Sequence, residues 1–136
     1  MAKQFHAVSP QEGVGDAKIK AGEDLLQYDA VKVVDDDGTD VYKKCEAAAD
    51  ACVGVTLQGA SEGDDVSIVI DGVTKARLGG GVDAFDYLIP NASGNGEAVV
   101  EADDGYRFAQ ALQPGADGDI VPAMILPNKG VMLESA

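Results

Sequence analysis

The residue types that most often catalyse reactions or bind metals are sparse in this chain. It has one histidine, His6, and two cysteines, Cys45 and Cys52, which six residues separate. A structural zinc site needs about four thiolate, imidazole or carboxylate ligands, and no Cys or His set with finger spacing is present. We predict no metal site, an exposed position for His6 and two half-buried free thiols. A disulfide between the cysteines stays open, because their spacing allows neighbouring strands to bring them together.

A run of acidic residues, Asp35-Asp36-Asp37-Gly38-Thr39-Asp40, invites comparison with a calcium loop. If Gly38 is aligned with the obligatory glycine of an EF-hand, Val33 occupies the first ligand position and Lys44 replaces the bidentate glutamate. The motif therefore fails. Asp-Gly between β-branched segments is instead typical of a two-residue hairpin turn.

Three further features match known catalytic or cofactor motifs only in part or not at all. Gly79-Gly80-Gly81 lacks the following lysine and helix of a phosphate-binding loop, and we interpret it as a flexible joint. None of the serines lies in a Gly-x-Ser-x-Gly elbow. Lys75, in Thr74-Lys75-Ala76, only partly matches the modified lysine of biotinyl or lipoyl carrier domains. The sequence therefore predicts neither an enzyme nor a cofactor.

Charge and hydropathy narrow the choice of partners. The chain has 136 residues, a net charge of −14 and a pI near 4.1. Such an acidic chain lacks the basic patch with which proteins bind nucleic acid. No apolar run approaches the roughly 18 residues of a membrane-spanning helix, and the N-terminus does not resemble a secretory signal. Residues 1–20 carry a net charge of +1, against −8 for residues 21–77 and −7 for residues 78–136.

An internal repeat organises the rest of the sequence. Residues 55–64 align with residues 110–119 at an offset of 55, sharing Leu-Gln, a turn of small residues and a final Gly-Asp. Tyr28-Asp29 aligns with Phe85-Asp86 at an offset of 57, and a longer loop over residues 90–96 accounts for the difference. Because internal repeats reveal architecture directly, we predict a protein of two related halves.

Short apolar segments separated by Gly/Asp turns predict the fold class. We expect an all-β protein, a compact β-sandwich or small barrel built from two pseudo-repeated halves. Residues 1–22 are predicted to form an extended N-terminal arm and residues 23–136 the β domain, with pseudo-repeats at about 23–78 and 82–126. A hairpin is also predicted at Asp71-Gly72, which would return residues 73–78 against residues 66–70.

From Ala30 to Leu126 the sequence resembles a known family. The Gly-Glu-Asp-Leu-Leu entry at residues 22–26 is followed by an aromatic-Asp-Ala-Val-Lys-Val-Val strand, an Asp-Gly turn and an alanine-rich connector. Cys52-Val53-Gly54-Val55-Thr56-Leu57 and Ala-Ser-Glu-Gly-Asp-Asp-Val come next. This order is similar to that of the capsid decoration, or cement, proteins of tailed phages (the DUF2190 family).

The resemblance implies a virion protein that binds the outer capsid surface and strengthens the shell. It also implies the major capsid protein lattice as the partner and a homo-oligomer, with a trimer favoured over a dimer. We expect the N-terminal arm to bind the shell by adding a strand to a sheet edge. The predicted capsid-binding residues are two apolar anchors and three lysines: Phe5, Val8, Lys3, Lys18 and Lys20.

The competing class is a free-standing binding or host-attachment module of the adhesin or glycan-binding type. Sugar binding usually relies on exposed aromatic rings, whereas only 5% of this chain is aromatic and tryptophan is absent. A lysine-modified carrier and an enzyme with a pocket of convergent carboxylates rank below it.

Overall fold

The computed structural model describes residues 19–131, and these form an all-β protein without a helix. Ten strands build two five-stranded sheets, in the orders β1-β3-β2-β4-β5 and β6-β10-β9-β7-β8. Their bounds are β1 Lys20–Ala21, β2 Ala30–Asp36, β3 Thr39–Lys44, β4 Gly54–Thr56, β5 Ile68–Val69, β6 Gly72–Arg77, β7 Tyr87–Pro90, β8 Ala98–Val100, β9 Tyr106–Ala111 and β10 Ile120–Val131. The predicted fold class is confirmed.

The two halves share one strand plan. The order β3-β2-β4-β5 in the first sheet is repeated as β8-β7-β9-β10 in the second. Each half also curls, because the segment at its start pairs with a strand on one side of the sheet and forms a single bridge to the other side. In the first, Lys20 bridges Asp65 and Ala21 pairs with Tyr42; in the second, β6 pairs with β10 and Leu78 bridges Ala98.

The cores of the two halves match position by position. The first half encloses six buried apolar side chains, Ala21, Leu25, Val31, Tyr42, Val66 and Ile68. Their repeat equivalents in the second half are also buried together: Leu78, Val82, Leu88, Ala98, Val121 and Ala123. The core of the second half extends further, since the opposite face of the first sheet packs into it through Ala30, Cys45, Cys52, Val55 and Val69. The first sheet is thus covered on both faces.

The hairpin predicted at Asp37-Gly38 is confirmed. Asp36 pairs with Thr39, and both turn residues have positive φ, 56° for Asp37 and 90° for Gly38. Positive φ at both central positions is the geometry of a type I′ turn, whose twist suits antiparallel strands. The Asp35 carboxylate accepts the Gly38 N–H at 2.9 Å, so the acidic run serves the turn.

The hairpin predicted at Asp71-Gly72 is wrong. β6 pairs antiparallel with β10 over Gly72–Arg77 and not with β5. The chain therefore crosses from one sheet to the other at residues 70–71, before the Gly79-Gly80-Gly81 triplet. The triplet follows β6 of the second sheet. Its Gly79 N–H donates to the Ala98 carbonyl in β8 at 2.8 Å. A turn-forming dipeptide alone does not specify which strand the chain pairs with next.

Both ends of the described region lie in or next to strands. The N-terminal arm lies outside the described residues up to residue 18, and its end at Lys20–Ala21 forms β1. At the other end, β10 continues past Pro127, and Gly130 and Val131 pair with β9 after a register shift.

Candidate functional site

A buried charged contact joins the two halves. Asp29, just before β2, is fully buried. The guanidinium of Arg77, at the end of β6, binds its carboxylate, with Nη1 3.2 Å from Oδ1 and Nη2 also donating to Oδ1. Arg77 Nη2 donates as well to the Asn95 carbonyl at 2.8 Å. One residue of the first half is thereby held by two segments of the second.

The loop that carries Asp29 is held by hydrogen bonds within the first half. The Leu26 N–H donates to Asp29 Oδ2 at 2.7 Å, and the Asp29 N–H donates to the Thr56 hydroxyl at 2.9 Å. That hydroxyl donates in turn to the Leu26 carbonyl at 2.6 Å. Burial raises the pKa of Asp29, and the Leu26 N–H and Arg77 oppose this rise. The Leu26 N–H and the charge of Arg77 therefore stabilise the ionised form of the buried Asp29 carboxylate.

Gly96 closes the same junction from the second half. Its carbonyl accepts the Ala30 N–H at 2.8 Å. Its φ is 76°, and a Cβ at this position would lie 2.6 Å from Asp29 Oδ1. Both the backbone conformation and the close approach require glycine here.

The second half repeats the Asp29 loop around Asp86. The Asp83 N–H donates to Asp86 Oδ2 at 2.8 Å, as Leu26 does to Asp29. The preceding aromatic residues both have positive φ, 67° for Tyr28 and 70° for Phe85. The two loops are thus built alike, down to the residue three positions before each aspartate.

The surroundings of the two loops differ. Tyr28 packs against the shared core, whereas Phe85 is 65% exposed. Asp86 borders a cavity of about 410 Å³ that is lined by Gly81, Val82, Asp83, Asp86, Val100 and Gly115. Within residues 19–131 no ion pair to Asp86 is found. The second half therefore presents an open version of a surface that the first half keeps closed.

An amphipathic row runs across the outer face of the second sheet. Tyr87, Gln110, Met124 and Val73 are successive cross-strand neighbours, and Met124 and Val73 are exposed. Arg107 lies over the Tyr87 ring at 4.1 Å from its centroid. The repeat-equivalent row of the first sheet, Ala30, Val55 and Val69, is buried against the second half. This comparison marks the outer face of the second sheet as a second candidate contact surface.

The connector between β3 and β4 is organised by Asp50. Its Oδ2 accepts the N–H groups of Glu46 at 2.7 Å and Ala47 at 3.0 Å, and the Lys32 ammonium lies at 2.9 Å. Burial would raise the pKa of Asp50, but these N–H groups and Lys32 hold it below its usual value. The connector forms a turn, and its Ala48 carbonyl accepts the Tyr106 N–H of the second half at 2.7 Å. It forms no helical turn.

Cys45 and Cys52 are both buried and free. The Cys52 thiol donates to the Gly54 carbonyl at 3.4 Å. A hydrogen bond with Cys52, together with burial, raises the pKa of Cys45. Because the thiolate is the reactive form of cysteine, this pair is suited to packing and not to nucleophilic chemistry.

Of the predicted capsid-binding residues, Lys3, Phe5, Val8 and Lys18 lie outside the described residues. Lys20 lies in β1, and its ammonium pairs with Asp65 at 2.6 Å on the surface. Lys75 lies exposed in β6. Of the five predicted residues, the structure therefore describes only Lys20.

Sequence reasoning overlooked the residues that form the junction. The alignment of Tyr28-Asp29 with Phe85-Asp86 does not show whether the two copies have the same neighbours in space. The available signal was the repeated motif itself. When two copies of a motif have different neighbours, one copy can leave exposed a surface that the other covers. Arg77 had no comparable signal in the sequence.

Residues 19–131 contain neither a grouped set of metal ligands nor a membrane-spanning helix. They contain no group of three or more His, Cys, Asp or Glu side chains arranged to hold a metal ion. None of their segments is a helix long and apolar enough to cross a lipid bilayer.

Comparison with solved structures shows a similarity of fold. No protein-family model matches the sequence, and no curated protein matches it either. Among solved structures, the chain is similar to the N base of the head fiber gp8.5 of bacteriophage phi29. The TM-score is 0.66 at 18% sequence identity, and the match covers 82% of this chain and 93% of that chain. At this identity the similarity shows a shared fold.

Proposed function

We propose that this chain is a structural protein of a phage head that binds the outer surface of the assembled shell. The observation that supports this most strongly is the fold shared with the phi29 head fiber base over 93% of that chain. The resemblance to capsid decoration proteins, which rests on sequence order, points to the same location.

The described part of the chain fits a binding role better than a catalytic one. Its best-defined polar group, Asp29 with Arg77, is buried and structural. Its exposed features are a curled sheet face and single apolar side chains such as Phe85 and Val100. A shell presents the same site many times, so modest contacts to several copies add up to firm attachment.

Within this proposal, the N-terminal segment makes the contact with the major capsid protein. Phe5 and Val8 supply apolar anchors, and Lys3 and Lys18 supply charge. Lys20 adds a third positive charge, and its ammonium also pairs with Asp65 on the surface. The acidic remainder of the chain faces solvent and repels neighbouring virions. The chain carries out no catalysis and needs no cofactor.

The test is co-sedimentation with undecorated heads of the phage that encodes this chain. The full chain is compared with a deletion of residues 2–18, which leaves β1 intact, and with Phe5→Ser/Val8→Ser. A Lys75→Ser variant serves as the matched control on an exposed strand. We expect the full chain and the control to pellet with heads, and the other two to stay in the supernatant.

Three outcomes bear on the proposal. Failure of the full chain to bind any head from the encoding phage would overturn the head-binding role. Equal binding by the deletion would keep that role and remove the N-terminal segment from it. Binding to host cells in place of heads would support the host-attachment module.

A further inference from the structure

The second half carries an open copy of the surface with which the first half binds the second. We define the open junction surface as Val82, Asp83, Phe85, Asp86 and Val100. We propose that a second copy of this chain docks on this surface through its first half, placing Lys20 beside Asp86. Copies then associate head to tail.

The first step is the geometry of the repeat. If a twofold axis related the two halves, Asp86 would face Lys20 in the same chain, just as Asp29 faces Arg77. Instead, Lys20 pairs with Asp65, and Asp86 borders the cavity. The halves are therefore related head to tail, and such a relation always leaves one unused surface at each end.

The second step identifies the cation that the open surface lacks. Lys20 is the repeat equivalent of Arg77: Lys20 bridges Asp65, and Arg77 pairs with Ile120, at corresponding places in the two halves. We call the contact of Asp29 with Arg77 the closed junction. Lys20, at the other end of the same chain, holds the position in its half that Arg77 holds in the closed junction. The existing pair of Lys20 with Asp65 is exposed, and such pairs contribute little, so exchanging it costs little.

The third step concerns the apolar part. Phe85 is 65% exposed and Val100 is 42% exposed. In the closed junction, the counterpart of Phe85 is Tyr28, which packs against the core shared by both halves. Val100 lines the cavity, and Phe85 lies next to Asp86 in the chain. Neighbouring exposed apolar side chains are typical of contact surfaces. A docked first half would cover Phe85 as the second half covers Tyr28.

A second copy fits this surface better than another partner does, because it continues an interface already present within the chain. The inference does not depend on the proposed attachment to a phage head. Loss of head binding with intact self-association would overturn only the former, and the reverse result would overturn only the latter.

The test is sedimentation equilibrium of the full chain and five variants. Phe85→Ser, Asp86→Lys and Lys20→Asp each remove one element of the contact. Lys20→Asp/Asp86→Lys exchanges the charges. Val33→Ser, on another exposed apolar side chain, is the matched control. Circular dichroism melts verify that every variant is folded.

We expect the unchanged chain and Val33→Ser to form oligomers. Each of the three single changes should weaken association about tenfold or more, and the charge exchange should recover most of the loss relative to Asp86→Lys. A monomeric full chain would overturn the proposal. An oligomer that Phe85→Ser and Asp86→Lys leave unchanged would also overturn it. So would a double variant whose loss of association equals the combined losses of its two single changes.

Discussion

Arg77 of the second half binds the buried carboxylate of Asp29 in the first half, with Nη1 3.2 Å from Oδ1. The two residues are 48 positions apart: Asp29 precedes β2 of the first sheet, and Arg77 ends β6 of the second. The Asp29 loop is repeated at Asp86, for which no ion pair is found within residues 19–131. The first copy of the loop is therefore closed, and the second is open.

Removing the cation from this pair should destabilise the fold strongly. Arg77→Met leaves Asp29 buried and uncompensated, and breaking one side of a buried pair costs about 3–5 kcal/mol. Urea denaturation measures the free energy of unfolding. Lys75→Met, on the same strand but exposed, is the control and should change it by less than about 0.5 kcal/mol.

A double change separates pairing from packing. Asn at position 29 removes the charge, so Asp29→Asn/Arg77→Met should be less destabilised than the sum of its single changes. Strict additivity would show that the two side chains do not interact.

Two glycines with similar backbone conformations should respond differently to alanine. Gly94 and Gly96 have φ of 82° and 76°, but only at Gly96 does a Cβ approach Asp29 Oδ1 to 2.6 Å. Gly94→Ala should cost about 1–2 kcal/mol for the left-handed backbone alone. Gly96→Ala should cost clearly more, because the Asp29 carboxylate must shift. Equal losses in thermal denaturation would contradict the close approach.

The acid stability of the protein should depend on Asp50. Its pKa is lowered in the folded state, so its contribution is present above the unfolded value of about 3.9 and is lost as the pH falls through the folded value. Asp50→Asn should destabilise the protein by about 1–3 kcal/mol at pH 7.

The difference between Asp50→Asn and the unchanged chain should shrink below about pH 4. Urea titrations between pH 2 and pH 7 measure this, with Asp103→Asn as an exposed control. A difference that is independent of pH would remove the charge of Asp50 from the explanation.

The two thiols should be inaccessible in the folded protein. Cys45 and Cys52 are buried, and the pKa of Cys45 is raised. A disulfide-exchange reagent such as Ellman's should therefore react with them only as fast as the protein unfolds. Adding urea up to the unfolding midpoint should accelerate the reaction in step with the unfolded population. Rapid labelling of the native protein would contradict the burial of this pair.

The amino-acid sequence by itself determined the local features and the repeat. The alignment of residues 55–64 with 110–119 predicts two related halves, because equivalent turns and apolar segments recur in order. Asp37-Gly38 predicts its hairpin, because positive φ at two successive residues is a local requirement that few dipeptides meet. Both predictions concern short stretches of chain, whose backbone preferences do not depend on distant residues.

Only the tertiary structure decided how the halves are joined. Asp71-Gly72 has the same turn chemistry as Asp37-Gly38, yet β6 pairs with β10, whose partner residues lie 43 to 53 positions further on. That choice follows from burying β6 and β10 in one core, a long-range free energy that no dipeptide encodes. For the same reason Tyr28 and Phe85, alike in sequence and backbone, differ in exposure: the second half covers one and leaves the other open.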